Sequence, residues 1–281
     1  MIISLSLGAQ RTLEDLAQDI IYHSDVVANT KLVTTRTKSN GQLVASMNKF
    51  LQTEGSYEYN FTEVPWISIK IPSDNVFKLY SWELKGEESA EYFGYIQQPD
   101  GSFHILQDQS ANLSDIEYMS LDTDTWYGAL YYNLIASEDK DGNLYYIAFG
   151  INKKEKYSTE KIAEVISFED GKWVLGKSIF SKENESLERI LLSYSSDANV
   201  TLNYNESLGL IIFDHLINRM GVQPGQGPTT YPDGSYSGYK YAEGNWIYQD
   251  KLYDFISETP PRANPVNKGK MKDLFGRDKK N

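Results

Sequence analysis

The chain has no cysteine. That excludes disulfides, thiolate zinc sites and cysteine nucleophiles. Histidine is scarce: His23, His104 and His215 are the only three, and none shows a ligand spacing such as H-x-x-x-H, so the basis for a metal site is poor. No run approaches the ~18–20 apolar residues of a membrane span, and a membrane-integral protein is not expected. Basic residues are outnumbered 27 to 39, a net charge of −12. Phosphate repels such a surface, which argues against nucleic acid as a partner and against adsorption to anionic membranes. There is no G-x-S-x-G elbow, no Walker loop and no G-x-G-x-x-G fingerprint. Gly225-Gln226-Gly227-Pro228 is glycine-rich, but no helix is expected after it to hold a phosphate. No cofactor and no metal are expected.

What is present is ordinary globular material with one bias. Hydrophobic residues make up 40% and charged residues 23% of 281 positions, enough for a sizeable core. Aromatics reach 13%, with 21 tyrosines. Flat rings pack well across a pleated surface, so this enrichment points first to β-structure and second to a face that binds sugar or peptide.

Residues 1–9, MIISLSLGA, resemble the end of a signal-peptide apolar core with a cleavage site near Ala9. The alternative is a buried N-terminal strand. Residues 10–60 read as a helical front end packed on the sheet. Thr12 and Asp15 form a capping-box pattern, and Leu13, Leu16, Ala17, Ile20, Ile21, Val27 and Ala28 mark one helical face. A second helix is expected from Ser39 to Gln52, closed by Gly55. From Val64 the period changes to two. Strands are expected at Trp66–Ile71, Phe77–Leu84, Glu91–Gln98, Phe103–Gln107, Trp126–Ala136, Leu144–Ile151, Ala163–Phe168, Trp173–Ile179, Arg189–Tyr194, Val200–Tyr204, Leu208–Leu216, Tyr236–Tyr241 and Trp246–Tyr248. Asp100-Gly101, Asp141-Gly142 and Asp170-Gly171 supply hairpin turns. Lys161–Ile166 also reads as a helix turn. The expected fold is therefore α+β, mostly β: an N-terminal helical pair, then a large antiparallel meander over residues 61–257, closed as a barrel or split as a sandwich. Residues 258–281 hold seven basic and three acidic residues and read as a basic, disordered tail.

The segment from Arg189 to Tyr241 holds the candidate site. Asp214 and His215 form the only Asp-His pair, and a carboxylate can orient an imidazole for base catalysis. On a regular strand they face opposite ways, so one shared site requires that the strand end or bulge there. The Pro232-Asp233-Gly234 turn sits among Tyr231, Tyr236, Tyr239 and Tyr241. Tyr231, Asp233, Tyr236 and Tyr239 are the candidate ligand-binding group, since rings stack on sugar C–H faces while a carboxylate takes hydroxyls. The plainer reading of Asp233 is a turn aspartate bonded to its own backbone. Asp139 to Gly150 fails the calcium-loop pattern, because glycine falls at the fourth position rather than the sixth. Five N-x-S/T sequons, at Asn60, Asn112, Asn184, Asn199 and Asn205, carry little weight in a chain rich in Asn and Ser.

WYGALYY (Trp126–Tyr132), Arg189, LSYSSDANVTLNY (Leu192–Tyr204), IIFDHL (Ile211–Leu216) and YPDGSYSGY (Tyr231–Tyr239) resemble, as a set, a group of exported proteins of Bacteroidetes-type bacteria with no known activity. The resemblance implies export, with a periplasmic or secreted location, and no mechanism. The loop of that group reads nearer Gly-Pro-Asp-x-Ser-Tyr-Asp-Gly. Here Tyr231 precedes Pro232 and Ser237 replaces the second acid, which weakens any role needing two carboxylates in the loop. Two functional readings follow. One is a non-enzymatic envelope or secreted protein that binds a polysaccharide or protein partner. The other is a hydrolase, glycoside-directed, using Asp214 and Asp233 with His215 or a tyrosine.

Overall fold

The structure, a computed structural model, describes residues 11–254 other than Thr62 and Lys154. The expected signal remnant, residues 1–9, and the expected tail, 258–281, lie outside the described residues. Two helices, α1 (Leu13–Asn29) and α2 (Val33–Leu51), come first. The strands follow in chain order: β1 (Ser68–Lys70), β2 (Lys78–Lys85), β3 (Ala90–Gln97), β4 (Phe103–Gln107), β5 (Leu121–Asp122), β6 (Leu130–Glu138), β7 (Leu144–Asn152) and β8 (Ser158–Glu169). Then come β9 (Lys172–Leu175), β10 (Phe180–Lys182), β11 (Glu185–Leu187), β12 (Arg189–Ser195), β13 (Leu202–Asn205), β14 (Leu210–Met220), β15 (Pro228–Ala242) and β16 (Asn245–Asp254).

The front of α1 is fixed as its sequence predicts. Thr12 caps the helix and exchanges hydrogen bonds with Asp15, a complete capping box, which satisfies two otherwise orphaned N–H groups. The helix α2 begins at Val33, six residues before the expected Ser39, without a side-chain cap. It ends at Leu51, and Gly55 (φ +81°) serves the following turn instead of the helix end.

The strands form three open sheets, not a closed barrel. The first is the meander β1-β2-β3-β4. The second runs β5-β9-β8-β7-β6, with β12 beside β9 on the same edge of β8. The third runs β11-β10-β16-β15-β14-β13. All pairings are antiparallel except β10 with β16. The three Asp-Gly pairs sit at hairpins joining β3–β4, β6–β7 and β8–β9, and at the third both residues have positive φ. Lys161–Ile166 is strand, within β8.

The layers stack in order: helices, first sheet, second sheet, third sheet. Leu16, Ile20, Leu43, Met47 and Phe50 of the helices pack on Tyr80, Trp82 and Tyr95. The opposite face of the first sheet, with Phe77, Leu79, Ile96 and Leu106, meets Tyr131, Tyr146, Ala148 and Ile162 of the second. The far face of the second sheet, with Tyr145, Ile147, Phe149 and Val165, meets Phe180, Ile211, Phe213 and Trp246 of the third. The second sheet is thus buried on both faces. This explains why β7 reads as a continuous apolar run and not as an alternation. Each fully buried large side chain in these layers contributes about 1.5–3 kcal/mol.

Candidate functional site

Two irregularities on the two edges of β15 make the site. Between β14 and β15 the pairing passes from Asp214↔Tyr236 to Leu216↔Pro232. His215 therefore faces three residues, Asp233, Gly234 and Ser235, with Gly234 at φ +92°. On the other edge, pairing with β16 passes from Gly238↔Gln249 to Tyr236↔Tyr253. Ser237 then faces Asp250, Lys251 and Leu252, with Lys251 at φ +46°. Bulges of this kind bend a strand and re-aim its side chains. Gly238 is required between them: a Cβ there would collide with the Ile211 carbonyl oxygen and lie 2.6 Å from Leu252 Cδ1.

Within the double bulge His215 Nδ1 lies 3.0 Å from Ser237 Oγ and 3.8 Å from Asp250 Oδ1. Tyr248 donates its hydroxyl to Ser237 Oγ at 3.2 Å and to Asp250 Oδ1 at 3.4 Å. Burial raises the Tyr248 phenol above its ordinary value, so it stays a neutral donor. Lys182 Nζ stands 4.9 Å from the centre of the Tyr248 ring, within cation–π range. Opposite, Tyr118 donates to Glu185 Oε2 at 2.9 Å. His215, Tyr248, Lys182, Tyr118 and Glu185 line one cavity of about 270 Å³, whose apolar lining includes Ile190 and Phe213.

Serine, histidine and aspartate meet here, but not as a nucleophilic relay. Ser237 and Asp250 approach the same imidazole nitrogen, whereas a relay needs one partner on each nitrogen. Ser237 also has no solvent exposure, so its hydroxyl cannot reach a substrate.

The acids singled out in sequence do not converge. Asp214 is 9% exposed, and its Oδ2 accepts from Thr201 N–H at 2.6 Å and Thr201 Oγ1 at 2.7 Å. It holds the start of β13 against β14. Asp233 is exposed outside the cavity lining and accepts at Oδ1 from Ser235 N–H (2.9 Å) and Ser235 Oγ (2.7 Å). Those two bonds, and then the charges of His215 and Lys251, hold its carboxyl below the usual range. The tyrosines disperse as well. Tyr231, with Asp233, lies inside β15 and not in a loop, and donates to Asp197 Oδ1 at 3.2 Å. Tyr239 is a core residue, edge-on to Phe180. Tyr236 is half-buried on β15. Of the six candidate residues read from sequence, Asp214, His215 and Tyr239 line the cavity. Tyr118, Lys182 and Glu185 had no readable signal, because they come from a single 3-10 turn and two three-residue strands.

Another cavity, of about 840 Å³, lies beside Ala90–Tyr95 and the end of β4. Of the three carboxylates that line it, Glu91, Asp108 and Glu155, Asp108 accepts the N–H groups of Tyr92 and Ser110 at 2.9 Å each. No group of three or more His, Asp or Glu side chains is placed to hold a metal ion among the described residues. Among them too, no helix is long and apolar enough to cross a membrane.

No protein-family model, curated protein or solved structure matches the chain. Function is therefore argued from the site alone.

Proposed function

We propose that this chain is a non-enzymatic, exported binding protein of the bacterial envelope, which takes a carbohydrate at the double bulge. The observation that carries the reading is the convergence of Tyr118, Tyr248, Lys182, Glu185 and His215 on one cavity of about 270 Å³. Ring faces stack on sugar C–H surfaces, while ammonium, carboxylate and imidazole exchange hydrogen bonds with hydroxyls. A space of this size suits one or two sugar units. Binding is preferred over hydrolysis because Asp214 and Asp233 are both engaged by neighbouring hydroxyl and backbone donors. Export rests on the resemblance of the quoted segments to exported proteins.

Isothermal titration with envelope oligosaccharides tests the reading. Wild type should bind at least one of them saturably. Tyr118→Ala and Lys182→Ala should each weaken that binding about tenfold, near 1.4 kcal/mol, with unchanged melting temperature. Equal affinity in all three proteins, or no binding by wild type, overturns it.

A further inference from the structure

The helices do not cover their face of the first sheet to its edge. Cross-strand register sets Leu84 beside Glu91, then Trp82, Phe93 and Gln107 in one row, then Tyr80, Tyr95 and Ile105 in the next. Directly opposed residues share a face. Tyr80, Trp82 and Tyr95 pack under the helices, so Glu91, Phe93, Gln107 and Ile105 lie on that same face. Phe93 is half-buried, Glu91 and Gln107 are exposed, and Ile105 is 47% exposed. With Val44 of α2 as a wall, these four line the cavity of about 840 Å³, a size within the ~300–1,000 Å³ typical of small-molecule sites.

The two faces of the Phe93 ring differ. Trp82 stacks on one, with centroids 5.4 Å apart and planes at 12°. The other face turns away from β2 toward β4, where the cross-strand neighbour is Gln107. The Gln107 amide is drawn aside, donating from Nε2 to Asp124 Oδ1 at 3.2 Å. No second ring stacks on Phe93 among the described residues. An open ring face carries the negative lobe of the quadrupole and attracts a cation within about 6 Å. Glu91 stands two residues before Phe93 on the same strand and face, ~6.6 Å away by strand rise. Its carboxylate makes no hydrogen bond or ion pair among the described residues. Glu155 lines the same cavity, and no lysine, arginine or histidine does. Lys153 and Lys156 belong to an adjoining cavity of about 280 Å³.

We propose that this cavity binds an organic monocation, an ammonium on a medium-length alkyl chain. The head sits between Glu91 and the open face of Phe93, and the chain runs along Ile105 and Val44. Ring, carboxylate and apolar wall share one face, so a single ligand meets all three. An anionic ligand would meet two carboxylates and no cation. A bare metal ion would leave the apolar wall unused, and no group of three or more His, Asp or Glu side chains is placed to hold one among the described residues. The site shares no residue with the double bulge, so neither proposal depends on the other.

The test titrates the full chain by calorimetry with octylammonium, octanol and octanoate, each below its aggregation limit. Octylammonium should bind saturably at one site, about tenfold tighter than octanol, because a ring face and an exposed carboxylate act together where either alone is weak. Octanoate should bind more weakly than octanol. Glu91→Gln should cut the advantage of octylammonium over octanol to about threefold. Ile105→Lys, which puts a second ammonium on the cavity floor, should weaken octylammonium more than tenfold. Both positions are exposed, so both variants should melt as wild type does. Glu206→Gln makes the same charge change at the exposed turn between β13 and β14 and should leave all three ligands unchanged. The proposal fails if wild type does not prefer octylammonium to octanol, or if Ile105→Lys binds octylammonium as wild type does. It fails too if Glu206→Gln weakens octylammonium as much as Glu91→Gln, since attraction to the overall negative charge would then explain the binding.

Discussion

Arg189 Nε donates to Glu164 Oε1 at 2.8 Å, and neither side chain has any solvent exposure. They are direct cross-strand neighbours on β12 and β8. Arg189 uses its other donors on the carbonyls of Ile116, Met119 (2.7 Å) and Leu175 (2.8 Å). Glu164 Oε2 accepts from the Tyr131 hydroxyl at 3.0 Å, which in turn accepts the Trp126 indole N–H at 2.8 Å. Burial first, and the Glu164 charge second, raise the Tyr131 phenol well above its ordinary value and keep it a donor. The network fastens the Ile116–Met119 turn and the end of β9 to the central sheet.

Removing one partner strands the other charge in the core. Arg189→Met alone and Glu164→Met alone should each destabilise the protein by about 3–5 kcal/mol. The double variant with Met at both positions should lose less than the two singles added together. Urea unfolding of the three proteins measures this. Additive losses would show that the two side chains act independently.

Asp214 is expected to act on stability and not on ligand. Asp214→Ala leaves the Thr201 N–H and hydroxyl without their acceptor and should cost about 1–3 kcal/mol. Asp214→Asn, which retains an acceptor oxygen, should cost less. Oligosaccharide affinity in the Asn variant should match wild type. A lost affinity at unchanged stability would instead place Asp214 in contact with ligand.

Gly238→Ala should destabilise by about 1–3 kcal/mol through overpacking, since the added Cβ meets the Ile211 carbonyl and Leu252. Gly101→Ala meets no atom within 4 Å but carries a φ of +84°, so its smaller loss would report backbone strain alone. Thermal unfolding of the pair separates the two causes.

Asp139 supplies an acid-sensitive contact. It accepts the Asn143 and Asp141 N–H groups and pairs with Lys177 at 3.4 Å. These bonds, the Asn143 N–H first, lower its carboxyl to about 2. A depressed folded-state value means that the stabilisation is complete above the unfolded value of about 4 and lost as pH falls through about 2. Asp139→Ala should therefore melt below wild type at pH 7, with the gap closing between pH 4 and pH 2. A gap constant over that range would rule the carboxylate out as its source.

Local signals in the sequence carried far, and non-local ones did not. Thr12 and Asp15 lie within one turn, so the capping box was readable, as were the Asp-Gly hairpins. Most strand positions followed from period-two patterning, but β5, β10 and β11 did not, β9 ends at Leu175 and not at Ile179, and β15 starts at Pro228, well before the expected Tyr236. The division into three sheets was not readable, because β10 finds its partner β16 far along the chain and β12 folds back onto β8. The site shows the same divide. His215 was visible as a rare residue, and a strand end or a bulge was the condition for it to share a site with Asp214. Tyr118, Lys182 and Glu185 reach the same cavity from short elements whose length carries no periodic signal.

The parallel pairing of Phe180 with Trp246 has a consequence for synthesis. About 65 residues separate the two positions. At roughly 5–20 residues per second on the ribosome, the β10–β11 hairpin waits about 3–13 s for the strand that joins it to its sheet. Through that interval the Phe180 side chain and one bare strand edge are open to other nascent chains. Chains truncated before β16 keep that exposure permanently and are expected to go to inclusion bodies or to chaperones.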